Sequence, residues 1–152
     1  MLPQTALFFH IAGIMLIGGG SISAILGEKQ LWKKVNVLSP DARVWVNFVQ
    51  SATMFIFIGM IVFLVSGLLM LYVVNWVYLS QPWFIAKLIY FVLLPVRGAF
   101  VGRPTMALID RQLQENNYNM SALMKLRSKM NRFHIIQFIL VATIIFLVIF
   151  KV

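Results

Sequence analysis

Apolar residues fill four long stretches of the chain, at about 5–26, 53–78, 83–101 and 133–150, with polar segments between them. Each stretch is close to the ~20 residues a helix needs to cross the hydrocarbon core of a bilayer. The pattern predicts an all-α membrane protein, a single integral membrane domain over residues 1–152 built as a four-transmembrane-helix bundle.

The polar segments carry the topology. Residues 27–52 hold Glu28, Lys29, Lys33, Lys34, Asp41 and Arg43, and residues 102–132 hold Arg103, Arg111, Lys125, Arg127, Lys129 and Arg132. The turn at Ser80-Gln81-Pro82 is short and uncharged. The positive-inside rule puts the two basic segments in the cytoplasm. Both termini and the turn then face the periplasm, in the inner membrane of a bacterium. Trp76, Tyr78 and Trp83 flank the turn, as interfacial aromatics do.

The helices are expected to outrun the bilayer on the cytoplasmic side. Ser39-Pro40-Asp41 reads as an N-cap followed by Pro at the first helical position. With no strong breaker before Ser80, a helix from Pro40 to Leu79 would be ~60 Å long, against a core of ~30 Å. Asn119 or Ser121 is the expected cap of a last helix running through Lys125, Arg127 and Arg132, and Gln112–Asn119 is the turn-prone stretch. Pro95 is expected to kink the third span. Gly18-Gly19-Gly20 would admit a neighbouring helix, or a flat cofactor, close to the first.

Composition supports lipid as the solvent. The chain is 61% hydrophobic and 11% charged, where soluble domains average roughly 45–50% and about 25%. The absence of cysteine removes c-type haem attachment, thiolate iron–sulfur ligation and disulfides. The net charge of +9 lies beside the spans, so membrane lipids and not nucleic acid are the expected partners. The first span has no basic n-region and no A-x-A-like site, so it does not read as a cleavable signal peptide. No H-E-x-x-H, P-loop or G-x-S-x-G pattern occurs, and no carboxylate lies within a span for a proton relay.

Ionisable groups in hydrocarbon are costly and mark sites. His10 in the first span and Lys87 in the third are expected at the same depth, about a turn inside the periplasmic ends. His134 and Arg97 fall near the opposite ends of their spans, where with Gln137 they would form a small polar seam or simply a solvated helix end. At 1.5 Å rise per residue His10 and His134 lie roughly 20 Å apart along the membrane normal, too far to share one iron. A haem on His10 would take Lys87, a water, an open position, or His10 of a second protomer as its other partner. Phe8, Phe9, Phe84 and Tyr90 offer flat apolar walls. A histidine that hydrogen-bonds across helices, and a lysine that snorkels to the headgroups, give the same pattern. Met15, Met54, Met60 and Met70 lack the tight spacing of a copper site and read as core filling.

Phe8-Phe9-His10 with Gly20 ten residues on, Lys87-Leu88 in the third span, and the closing segment from Asn131 to Phe150-Lys151 resemble the HemJ-type family. Its members are small bacterial membrane proteins linked to protoporphyrinogen IX oxidation. A related uncharacterised group of small four-helix membrane proteins, the closer match, shares the His and the Lys, and the copper-resistance D domain does so more loosely. The chain departs from the HemJ pattern in two places. Arg97-Gly98 stands where the family has a second His, and Asn131-Arg132-Phe133-His134 replaces an Asn-Glu-x-Pro opening. The resemblance implies a redox site binding haem b, with His10 as axial ligand to the iron and Lys87 in support.

The leading expectation is therefore a b-type haem membrane protein passing electrons between a membrane donor and an acceptor. The alternative is a haem-free accessory subunit of a larger membrane complex; copper handling is the third reading. The protein partners expected are a second copy of the chain or other subunits of a membrane complex.

Overall fold

Residues whose side chains must avoid water, and whose backbone must hydrogen-bond without it, have one economical solution over 20 or more positions, the α-helix. The structure, a computed structural model that describes residues 2–37, 39–114 and 119–150, is built of helices with no strand among those residues. In order they are α1 (Leu2–Asn36), α2 (Ala42–Val73), a 3-10 turn (Val77–Ser80), α3 (Pro82–Arg97), one turn of π-helix (Gly98–Gly102), α4 (Arg103–Gln114) and α5 (Met120–Phe150). Four helical stretches are long and apolar enough to cross a membrane, with Pro82–Gln114 counting as one. Three hydroxyls inside the spans return to their own helix: Ser21 donates to the Ile17 carbonyl, Thr53 to Val49 and Thr143 to Ile139.

The helices outrun the expected spans, and capping sets their ends. Asn119 begins α5 as expected, its Oδ1 accepting from the backbone N–H groups of Ser121 and Ala122 at 3.0 and 3.3 Å. The expected cap at Ser39 with Pro40 as first helical residue is displaced: Ser39 begins a turn three residues before α2, its hydroxyl accepting from the Asp41 N–H at 3.3 Å, and Asp41 is the N-cap. The expected continuation of α2 to Leu79 does not occur. Asn75 adopts a left-handed conformation (φ 52°), with Trp76 N–H bonded to the Leu71 carbonyl and Asn75 N–H to that of Tyr72. This is a Schellman ending with Asn in the position usually held by Gly. Pro95 lies inside α3, and the helix then slips by one residue through the π turn.

The chain forms two compact units, Met1–Trp76 and Val77–Val152. In the first, α1 and α2 make an antiparallel hairpin whose seam is lined by small residues seven apart: Ala6, Gly13, Gly20 and Gly27 on α1, and Ala52, Gly59 and Ser66 on α2, all buried. A Cβ added at Gly13 would meet the Phe63 backbone nitrogen at 2.8 Å and the Gly59 carbonyl at 3.0 Å; one added at Gly59 would meet the Gly13 carbonyl at 3.0 Å. The two backbones are in direct contact there. Of the glycine triplet only Gly20 faces α2, against Ala52 and Ile56, while Gly18 and Gly19 meet nothing within 4 Å. The segment expected as a polar link is the best-buried part of this unit, with Leu31, Val35 and Val46 almost fully enclosed. In the second unit α5 runs back along α4, the π turn and α3, burying Thr105, Met106 and Ile109 of α4 and Leu123 and Met130 of α5.

Gly13→Ala should lower the stability of the purified protein by about 1–3 kcal/mol, the usual penalty of overpacking. Gly19→Ala should be neutral or stabilising by up to about 1 kcal/mol through helix propensity alone. Unfolding by SDS titration in mixed micelles checks both; equal losses at the two positions would dismiss the backbone contact as the determinant.

Candidate functional site

His10 falls on the α1 seam between Ala6 and Gly13, so the helix period turns it toward α2. There it lies on three residues of one α2 face. Its ring stacks on Phe63 at 3.9 Å between centroids and 27° between planes. Its Nδ1 is 3.1 Å from the Ser66 hydroxyl. A Cβ on Gly67 would meet its Cε1 at 3.3 Å, so the bare backbone gives the imidazole its place.

The proton follows from the neighbours. The Ser66 hydroxyl has one hydrogen, and it is 2.7 Å from the Val62 carbonyl and 3.0 Å from that of Phe63. The hydrogen goes either to one of those carbonyls, which leaves the oxygen to accept from Nδ1–H, or to Nδ1 itself, so the direction of the His10–Ser66 bond and the tautomer of the ring are set together. Where Ser66 donates to its own helix, Nδ1 of the neutral ring carries the proton and Nε2 the lone pair. A histidine ligand to a metal is held in this way, with one ring nitrogen donating to a fixed acceptor and the other presented. The donor set fits an axial haem ligand. Among the described residues no three His, Cys, Asp or Glu side chains gather as an ion site; a haem iron, which takes one or two protein ligands, is a separate case. Phe8 and Phe9 are exposed beside His10, edge to face at 5.6 Å.

The other expected site residues belong to the second unit. Lys87 is half-buried, its Nζ 5.7 Å from the centroid of Phe84 one turn earlier, a cation–π contact. Phe84 in turn meets Tyr78 and Trp83, at 6.0 and 5.7 Å. His134 stands edge to face with Phe133 at 5.4 Å. The Arg97 guanidinium lies 5.9 Å from the centroid of the same Phe133 ring. Each thus has partners inside its own unit. Sequence reasoning missed Phe63, Ser66 and Gly67 as the support of His10. The signal for them was the seven-residue spacing of small residues on α2, which puts Ser66 on the seam. It also missed Glu28, which is buried and accepts from Trp32 Nε1 at 3.1 Å.

A family model described as "Predicted integral membrane protein (DUF2269)" matches residues 4–152. The chain belongs to this family of integral membrane proteins. No curated protein and no solved structure matches it.

Ser66→Ala should move the His10 ring from the Nδ1–H tautomer toward the usual mixture, because the acceptor that fixes it is gone. Two-bond 15N–1H correlation spectra of ring-labelled protein in micelles read this directly. An unchanged tautomer would show that Ser66 does not set it. The stability cost should be small, about 0.6–2 kcal/mol, as for other interhelical hydrogen bonds in membranes.

Proposed function

We propose that this protein is a b-type haem redox protein of the bacterial inner membrane, with His10 as an axial ligand through Nε2. The observation that carries the reading is the seat of the ring: Nδ1 lies 3.1 Å from the Ser66 hydroxyl and Phe63 stacks on the ring plane, an arrangement that presents Nε2 as a ligand when Nδ1–H donates to Ser66. The resemblance of the His10, Gly20 and Lys87 segments to the HemJ-type family supports the same reading. A bound haem would supply one-electron chemistry at the iron. The chain's own contribution is to orient one nitrogen without a rotamer search and to strengthen its basicity through the Nδ1–H bond. The basic segments 27–52 and 102–132 face the cytoplasm and both termini the periplasm.

One observation also favours the accessory-subunit reading. The His10–Ser66 bond ties α1 to α2, which a structural histidine would do as well.

Visible spectra of the purified protein, oxidised and dithionite-reduced, separate the two. Soret and α bands are expected in the wild type and in Phe9→Ala, and their loss in His10→Ala. A wild type that stays colourless after haem addition, or a His10→Ala spectrum identical to it, would move the assignment to the accessory role. Reporter fusions at the C-terminus should be active only in the periplasm; cytoplasmic activity would invert the topology.

A further inference from the structure

Among the described residues of the second unit, Arg97 has no carboxylate partner. Arg97 ends α3, inside the stretch Pro82–Gln114 that is long and apolar enough to span a membrane. It is half-buried, and its Nε is enclosed without a hydrogen-bond acceptor among the described residues. Its guanidinium lies 5.9 Å from the centroid of the Phe133 ring, whose face attracts a cation but accepts no hydrogen bond in its plane. A Cβ on Gly102 would meet the same ring at 3.2 Å, so Phe133 is wedged between Arg97 and the end of the π turn. One turn further along α5, Gln137 has a buried Oε1 that is also without a partner among the described residues. Since α5 runs antiparallel to α3, a turn forward from Phe133 matches a turn back from Gly102, and Arg97 and Gln137 share a level. A glutamine amide rotates about its last torsion at little cost.

The surroundings specify the ligand. Phe100 in the π turn and Phe138 beside Gln137 are 77% and 75% exposed, the highest values among the large apolar residues. Ile135 and Ile136 add to this apolar rim. Arg103 and Arg132, both exposed, flank the same end of the span. A cationic group with open donors, an acceptor at its level, basic residues around it and bare apolar surface beside it match one class of molecule: a phosphate with acyl chains. We propose that the notch formed by Arg97, the π turn and Phe133 binds the headgroup of an anionic phospholipid. The phosphate sits on the Arg97 guanidinium, a headgroup hydroxyl donates to Gln137, and the acyl chains lie over Phe100 and Phe138. A free aqueous anion would have no use for that apolar rim. Basic pockets between helices at a membrane face are suited to such headgroups, and arginine to phosphate oxygens.

Native mass spectrometry of the detergent-purified protein, titrated with phosphatidylglycerol or phosphatidylcholine, tests the site. The wild type should retain phosphatidylglycerol in preference to phosphatidylcholine. Arg97→Gln should weaken retention about tenfold, as loss of a charged hydrogen-bond partner does, and Arg97→Lys should give an intermediate value. Lys125→Gln removes the same charge two turns before Phe133 and should change retention less than twofold. Equal losses in Arg97→Gln and Lys125→Gln, or no preference in the wild type, would overturn the proposal in favour of diffuse attraction. Displacement of the lipid by millimolar inorganic phosphate would overturn it in favour of a free-anion site. If Arg97→Gln does not fold, Phe133→Leu, which removes the ring that seats the guanidinium, should weaken retention while Phe146→Leu, exposed further along α5 and outside the notch, keeps it.

Discussion

The first unit depends on the contact between two backbones at Gly13 and Gly59. Within hydrocarbon, burying apolar side chains against each other gains little over leaving them in lipid, so helix association rests on close packing and on the few polar bonds that such closeness permits. The carbonyl of each glycine lies where the other would carry a Cβ. That approach lets Ser66 reach His10 at 3.1 Å and lets the imidazole lie flat on Phe63. Larger residues on the seam would part the helices and take the acceptor away from Nδ1. The long apolar side chains of the same helices, Met15, Ile22, Met54 and Phe55 among them, are left pointing outward, as lipid solvent permits.

The hairpin then changes its cohesive force along its length. Toward the α1–α2 turn, small residues give way to Leu31, Trp32, Val35, Val46 and Val49, all buried. This is the composition of a water-soluble core, where apolar burial is itself the driving force. Glu28 survives there because the Trp32 indole donates to it. The exposed Lys34–Asp41 pair across the turn, at 3.4 Å, adds little by comparison.

Composition and the lengths of the apolar runs made the class of fold and the spans legible, and Asn119 made the start of α5 legible, because each of these is a local property. Two of the departures share a cause: they concern which way a helix faces. Gly18-Gly19-Gly20 looked like one flat patch, yet consecutive residues are about 100° apart on a helix, so Gly20 alone faces α2. The segment 27–52 read as a link because its charges were counted and its period was not. Lys29, Lys33 and Lys34 project outward while Leu31 and Val35 turn in. The stop at Asn75 was overlooked because asparagine breaks a helix by tolerating left-handed backbone, a weaker cue than proline. His10 itself was legible from its cost in hydrocarbon. Its support was not, since Ser66 lies 56 residues away in sequence.

The two intramembrane sites differ in what the protein has already satisfied. At His10 the polar requirement of one nitrogen is met by the Ser66 hydroxyl, which also lies within hydrogen-bond reach of its own helix carbonyls. To tie two helices together, a single donor suffices, and Ser, Thr or Asn would supply it at lower desolvation cost. A histidine in that position brings a second nitrogen whose direction the first bond fixes, which is of use when something must be ligated. At Arg97 the reverse holds: the charge cannot be removed, and the ring beside it attracts the cation without accepting its hydrogen bonds. A group that is always charged and has no carboxylate partner among the described residues is suited to an external counterion, and at the end of a membrane span the phosphate of a lipid is one.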